Sequence, residues 1–359
     1  MIKIIKVENK DQEKEFVMFP FSLYKGCDYW VPPIISEELE SMDKEKNPVF
    51  ENAEAEFYIA KKDGVTVGRI AAMVNWVEIE EQKKNKLRFG WYDTIDDLEV
   101  SKKLLESVIE FGKKRKLEFV DGPVGFSNMD KAGLLIEGYE ELNTMITWYH
   151  YPYQKEHLKK LGFSKLAEWV EYKIKIFSAE DAPEKVKKFS KIIQQRYELK
   201  VLNFKSRKEI IPYVDKMFEL LNVTYSNLQT YVTIKQYQID FYKEKFIKYI
   251  HPDFIKCCLD KDDNLIAFLI TMPSFSRALK KINGKMGLMG YLRLFKAQHF
   301  NDRVSLYLIG VDPKYQSKGV TAVIFNELQN TFNKRGIVEV ETNPEPVSYT
   351  HLRAHETYD

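Results

Sequence analysis

The sequence predicts an α/β fold (α+β, mixed sheet) in which one unit is built twice in tandem. Three observations carry this prediction. Two β-rich runs, EAEFYIAKK and VTVGRIAAMVN, flank Asp63-Gly64, the strongest short-range hairpin signal a sequence offers. A strand, an amphipathic helix and another strand follow, and the same order returns after residue 250. Finally, 359 residues exceed what one core fills efficiently, while 44% hydrophobic and 14% aromatic residues supply apolar surface for two ordered domains.

The elements follow in order. Ile2 to Val7 reads as an opening strand, and the aromatic stretch after it is interrupted by Pro32-Pro33, which prevents a continuous helix. After the hairpin come the strand KLRFGWYDTI, a helix over DDLEVSKKLLESVIEFGKKRK with Leu98, Leu104, Leu105, Val108 and Phe111 inward, and the strand LEFVDGPV. A short helix, YQKEHLKKLGF, and a strand, AEWVEYKIKIF, close the first half. Residues 178–208 are strongly charged and read as a connector with a surface helix, which sets domains at 1–180 and 181–347. Two helices are expected over 209–250, then a second hairpin, FIKCCLD and LIAFLITMPSF around the turn Lys261–Asn264. The insertion 276–300, with Met, Leu, Phe and basic residues, either covers a pocket or simply packs, and packing is expected. The strand VSLYLIGVDP, a helix ended by Gly336 and the strand IVEVETN complete the second copy. The last residues, 348–359, resemble translated adapter sequence, so Tyr349, His351 and His355 are given no role.

Composition excludes several function classes. Lys plus Arg is 55 and Asp plus Glu 53, a net charge of +2 that argues against a nucleic-acid partner. No apolar run reaches the roughly 20 residues of a membrane span and the N-terminus is charged, so a cytoplasmic protein without a membrane partner is expected. Cys27, Cys257 and Cys258 read as reduced core residues, and the scattered histidines give no metal-ligand spacing, so no metal is expected.

The chemistry concentrates at Val311-Asp312-Pro313-Lys314-Tyr315-Gln316-Ser317-Lys318-Gly319-Val320-Thr321. An apolar strand turns there into a helix, so the N–H groups of Ser317 to Val320 point unpaired from a helix N-terminus. Such an end attracts phosphate through its dipole and donors, Gly319 permits close approach, and Lys318 adds a cation. This segment resembles the pyrophosphate loop of the GNAT superfamily of acyl-coenzyme A dependent N-acyltransferases: Gln or Arg, two residues, Gly, one residue, Gly or Ala. Gln316 and Gly319 match, and Thr321 departs from the last position. The corresponding junction of the first half, Tyr92 to Glu99, has no glycine and carries Asp96, Asp97 and Glu99, which would repel a pyrophosphate. Leu161-Gly162-Phe163 resembles the Leu-Gly-Phe entry to the last GNAT strands. The chain is thus similar to tandem GNAT proteins with a degenerate N-terminal copy.

The resemblance implies that acyl-CoA, acetyl-CoA above all, is the donor substrate and that its thioester lies beside the strand carrying Leu308, Ile309 and Val311. It also implies a place for Asn343 near the cofactor arm. The acceptor would be a small-molecule or peptide amine. Glu339 and Glu341 alternate on one strand face, where they serve either as general base or as a solvent-facing carboxylate pair. Two other readings stay open: a non-catalytic acyl-CoA-binding regulator, and a Fem-type aminoacyl transferase, against which the near-neutral charge counts. Two further segments attract attention. The turn-rich stretch from Asp121 to Tyr139 either walls a ligand or covers a core, and Trp148, Tyr149, Tyr151 and Tyr153 form a patch for which packing is expected.

Overall fold

The computed structural model describes residues 1–127, 129–178, 184–226, 228, 230–246 and 250–347; the tail with Tyr349, His351 and His355 lies outside them. The fold is α/β with mixed sheets, and the chain divides into two compact units. The first takes Met1–Glu168 together with Thr230–Thr233 and Phe275–Arg293, and the second takes the remaining described residues.

In the first unit, β1 (Ile2–Lys6) leads into α1 (Lys10–Leu23), a helix that the aromatic and proline content of the sequence conceals. The Asn9 side chain accepts from the Gln12 N–H at 3.0 Å, and Phe16, Val17 and Phe19 bury one face, which holds the helix although Pro20 lies inside it. Helix α2 (Ile35–Met42) precedes the hairpin of β2 (Ala53–Lys62) and β3 (Val65–Asn75). Asp63 and Gly64 take φ of 52° and 85°, the positive values a two-residue hairpin turn requires. Helix α3 (Trp76–Glu80), β4 (Lys86–Thr94), α4 (Leu98–Lys114), β5 (Phe119–Asp121) and α5 (Pro152–Lys160) follow. The strands form one sheet, β1-β2-β3-β4-β5, antiparallel except for β4 with β5. Helix α4 buries Leu104, Leu105, Val108 and Phe111 as expected, but Leu98 sits in its first turn off that stripe and is exposed.

One buried ionic network lies at the start of β4. Arg88 grips Glu78 through two bonds of 2.7 Å, and Lys86 binds Asp121 at 2.7 Å and Glu78 at 3.2 Å. Burial alone would raise the Glu78 carboxyl, but Arg88 and Lys86 hold it below the usual range. Arg88 also donates to the Gly125 carbonyl, so the network fixes the segment after β5.

The second unit opens with β6 (Trp169–Val170) and β7 (Lys173–Lys175), where the sequence suggests a single strand closing the first half. Strand β7 instead joins the second sheet. It sets Lys175 opposite Glu339 and Lys173 opposite Glu341, and opposite charges across a strand pair favour that register. Helix α6 (Glu184–Arg196) fills the charged connector, and β8 (Lys200–Asn203), which the sequence reading lacks, forms the far edge. Helices α7 (Arg207–Tyr225) and α8 (Gln236–Phe246) precede the second hairpin, β9 (Ile255–Leu259) and β10 (Leu265–Pro273). Its turn is held by Asp260, whose carboxylate accepts from the N–H groups of Asp262 and Asn264 at 2.9 Å.

The insertion contains α9 (Ser276–Ile282) and α10 (Leu288–His299). Ala278, Leu279 and Ile282 of α9 are buried, yet α10 buries only Gly290, so the expectation that the whole insertion packs fails there. Then come β11 (Arg303–Val311), α11 (Val320–Arg335), β12 (Glu339–Glu341) and β13 (Glu345–Pro346), the last paired with β6. The main sheet runs β7-β12-β11-β10-β9-β8, antiparallel except for β11 with β12. Cys257 and Cys258 are buried core thiols and Cys27 is half-buried. Among the described residues no helix is long and apolar enough to cross a membrane.

Two outcomes are expected of the first unit. Burial pushes the His150 imidazole, whose Nδ1 accepts from the Leu135 N–H, down to about 4 from 6.5. The unfolded chain therefore takes up that proton first, and stability is lost as pH falls from 6.5 towards 4, by about 3 kcal/mol for the full shift. Urea midpoints of His150→Gln should fall less steeply across that window, and a profile parallel to the parent's would contradict the assignment. Glu78→Gln leaves buried cations underpaired and should cost about 3 kcal/mol of stability in the same measurement.

Candidate functional site

The loop singled out in the sequence joins β11 to α11. Asp312 caps its turn, accepting from the Lys314 N–H at 2.8 Å, and the Gln316 side chain donates to the Val311 carbonyl at 3.1 Å. Ser317 and Gly319 both have positive φ, 62° and 77°, and Gly319 is the N-terminal cap of α11 without a side-chain bond. Among the described residues, the N–H groups of Ser317, Gly319, Val320 and Thr321 find no acceptor within the protein. Left-handed residues spaced in this way turn successive N–H groups toward a common side, the arrangement that binds anions. The Lys318 ammonium lies 4.8 Å from the ring centre of Tyr315 and 5.5 Å from that of Tyr197. Gly319 has a second duty invisible in the sequence. A Cβ there would lie 2.9 Å from Phe189 and 3.2 Å from Ile193 of α6, so packing as well as φ demands glycine.

Beside this loop the sheet opens. Strands β11 and β12 pair only over Arg303–Ser305 and Glu339–Glu341, and β11 runs on through Leu306–Val311 without β12 beside it. A register shift opposite Ile270/Thr271 places one extra residue in β11, a bulge of the kind that bends a strand away from its neighbour. Three carbonyls in the open stretch are taken by side chains: Tyr307 by Asn343 at 2.6 Å, Ile309 by Tyr225 at 2.9 Å, and Val311 by Gln316. In an antiparallel strand a residue's N–H and C=O point to the same edge, so the N–H groups of Ile309 and Val311 share that edge. Leu308 pairs across the sheet with Ile270.

The two carboxylates differ. Glu341 pairs with Ser305 at the last rung before the strands part; it is 5% exposed and accepts from Ser274 Oγ at 2.9 Å and Ser305 Oγ at 3.3 Å. Glu339 lies 2.8 Å from the Arg303 guanidinium. Among the described residues the buried Asn343 Oδ1 has no partner, an acceptor available to a ligand donor. Ser274, Ser305 and Tyr225 complete this cluster and are absent from the sequence reading. Isolated serines at strand ends and a tyrosine on an ordinary helix carry no motif.

The first unit repeats the geometry and then blocks it. Strand β4 pairs with β5 only over Lys86–Arg88, and a register shift again follows, between Arg69 and Ala71. Here the chain itself fills the opening: Val124 N–H donates to the Phe89 carbonyl at 2.8 Å, while Gln154 and Tyr153 bond the carbonyls of Tyr92 and Thr94. A Cβ on Gly90 would stand 2.5 Å from the Val124 carbonyl, which fixes glycine at that close approach. At the helix start, the Asp97 carboxylate accepts from the Glu99 N–H at 3.0 Å, occupying with its own anion the place a phosphate would take.

The turn-rich stretch of the first unit helps line a small polar cleft formed by Tyr24, Glu38, Arg69, Asp93 and Lys131. Arg69 and Tyr24 both bind Asp93 at 2.7 Å. Burial lowers the Lys131 ammonium. Trp148 and Tyr149 share that lining, while Tyr151 and Tyr153 stack at 5.7 Å, so the aromatic patch packs. A charged Arg69 inside the otherwise apolar run of β3 was the available signal for this cleft. Among the described residues no cluster of His, Cys, Asp and Glu could hold a metal.

Comparison with known proteins bears on this geometry. No protein-family model matches the chain. It is 26% identical over 343 residues to Protein YghO of Escherichia coli strain K12, covering 93% of this chain and 85% of that one. It is 21% identical over 325 residues to a bacterial ceramide synthase of Caulobacter vibrioides, covering 88% and 82%. Among solved structures, a tandem GNAT protein from the clavulanic acid biosynthesis pathway superposes with a TM-score of 0.51 at 8% identity, over 99% of this chain and 94% of that one. With its two part-split sheets, one blocked and one open, this chain has the tandem GNAT fold.

Proposed function

We propose that this chain is an N-acyltransferase that moves an acyl group, acetyl in the simplest case, from acyl-CoA to an amine. The domain taking the donor is the second, 181–347. The observation that carries the reading is the set of free N–H groups of Ser317, Gly319, Val320 and Thr321 beside Lys318, at the end of a strand that has left its partner. An anionic pyrophosphate suits those donors, and the open edge of β11 accommodates an extended pantetheine arm through backbone bonds. The relative named as a ceramide synthase supports the reaction class, because a ceramide is an amide.

Carbonyl polarisation and amine deprotonation each then have a group in the chain. The edge carrying the N–H groups of Ile309 and Val311 polarises the thioester carbonyl. The amine nitrogen bonds to the acyl carbon, the carbon–sulfur bond breaks, and the proton lost by nitrogen passes toward Glu341, the carboxylate where the strands part. Coenzyme A leaves as a thiolate that takes up one proton from solvent. Glu339 positions the strand through Arg303, and Asn343 braces the opening.

Calorimetric titration of coenzyme A into the full chain tests the binding half. Lys318→Glu puts a carboxylate at the anion site while keeping Gly319, where a Cβ would meet Phe189, and should weaken affinity more than tenfold. Asp97→Asn, which keeps the cap of α4, should leave affinity unchanged, and a large loss would place the donor in the other unit. For turnover, thiol release from acetyl-CoA with a panel of primary amines should fall about a hundredfold in kcat in Glu341→Gln, with the KM for acetyl-CoA unchanged. An equal rate would leave Glu341 a structural partner of the two serines. Binding without release for any amine would favour the regulatory reading.

A further inference from the structure

Helix α10 is amphipathic in the wrong direction for a globular protein. Leu288, Tyr291, Leu292 and Phe295 recur at i, i+3, i+4 and i+7, the spacing of one helix face, yet they are 79%, 63%, 53% and 57% exposed. Phe300, just past the helix, is 74% exposed. The residue of α10 that is buried is Gly290, which offers almost no apolar surface. A stripe of large side chains turned to water marks a surface that another apolar phase covers.

Charge states what that phase is. The insertion 276–300 contains Arg277, Lys280, Lys281, Lys285, Arg293 and Lys296 and no Asp or Glu. The rest of the chain holds the other 49 Lys and Arg against 53 Asp and Glu, so a remainder of net −4 carries this 25-residue insertion of net +6. Lys296 borders the apolar stripe and Lys285 precedes the helix, which allows the rings and leucines to enter acyl chains while the ammonium groups stay at headgroup level. At 12 residues the helix is about 18 Å long, too short to span a bilayer and long enough to lie on one.

We propose that α10 seats the protein on an anionic lipid surface, lying in the headgroup plane with Leu288, Tyr291, Leu292 and Phe295 inserted. The proposal goes beyond acyl transfer and stands without it. No membrane span is required, in keeping with the helices described.

Co-sedimentation of the full chain with sucrose-loaded vesicles tests it. Vesicles of phosphatidylcholine with 30% phosphatidylserine should bind at least tenfold more protein than phosphatidylcholine alone, and raised salt should weaken the binding. The double variant Leu292→Ser/Phe295→Ser alters exposed positions, so it should fold with an unchanged circular dichroism spectrum and unchanged coenzyme A affinity while losing vesicle binding at least tenfold. Lys285→Gln/Lys296→Gln should lose the preference for phosphatidylserine. Absence of vesicle binding, or binding equal in the double variant, overturns the proposal. So does a concentration-dependent dimer in solution that the double variant abolishes, because the face would then belong to a second copy.

Discussion

The parting of β11 from β12 is the constraint on which the candidate site rests. Three rungs of parallel pairing hold the strands together and then the bulge opposite Ile270/Thr271 turns β11 away. Everything useful about the site follows from the unpaired edge that this leaves. Carbonyls along it are satisfied from outside the sheet by Asn343, Tyr225 and Gln316, so the edge persists without inviting a further strand. Its far end delivers the chain into α11 with four N–H groups unspent, and its near end places Glu341 between two serine hydroxyls.

The first unit shows what the same geometry becomes when it is closed. The pairing is equally short, but the segment after β5 folds back to bond Phe89, and Arg88 anchors it through Gly125. Buried ion pairs of this kind contribute little net stability over a well-packed apolar alternative, and losing one partner is costly. Their role here is to fix one arrangement of a loop that plugs an opening. Asp97 completes the change by giving the helix its own anion. One copy is thus open and the other plugged, so of two similar folds one presents a helix start with free N–H groups.

Much of this was legible in the sequence, and the limits have physical causes. Both hairpins were readable because Asp63-Gly64 and Asp260 to Asn264 are local turn chemistry. The loop at Gln316–Thr321 was readable because a helix start needs few residues to define it, and the acidic junction Asp96–Glu99 was readable for the same reason. Helix α1 was hidden because aromatic residues and Pro20 mask its period. Strand β8 has four residues in a charged stretch, below the length at which alternation shows. The destination of β7 was unreadable, since pairing Lys173–Lys175 with Glu339–Glu341 joins segments far apart in the chain. Gly319 was legible as a loop glycine, but its contact with Phe189 was not. For the insertion only the apolar composition was read and packing was expected; the exposure of α10 was not legible, because apolar content leaves open what a face meets.

Amide hydrogen exchange of the full chain with and without coenzyme A tests the central claim most directly, because it reports on the N–H groups themselves. The account predicts slowed exchange in peptides covering Ser317–Thr321 and Leu308–Val311, with none at Ile95–Glu99. Protection confined to the first-unit junction, or no change at Ser317–Thr321 under saturating ligand, would contradict it.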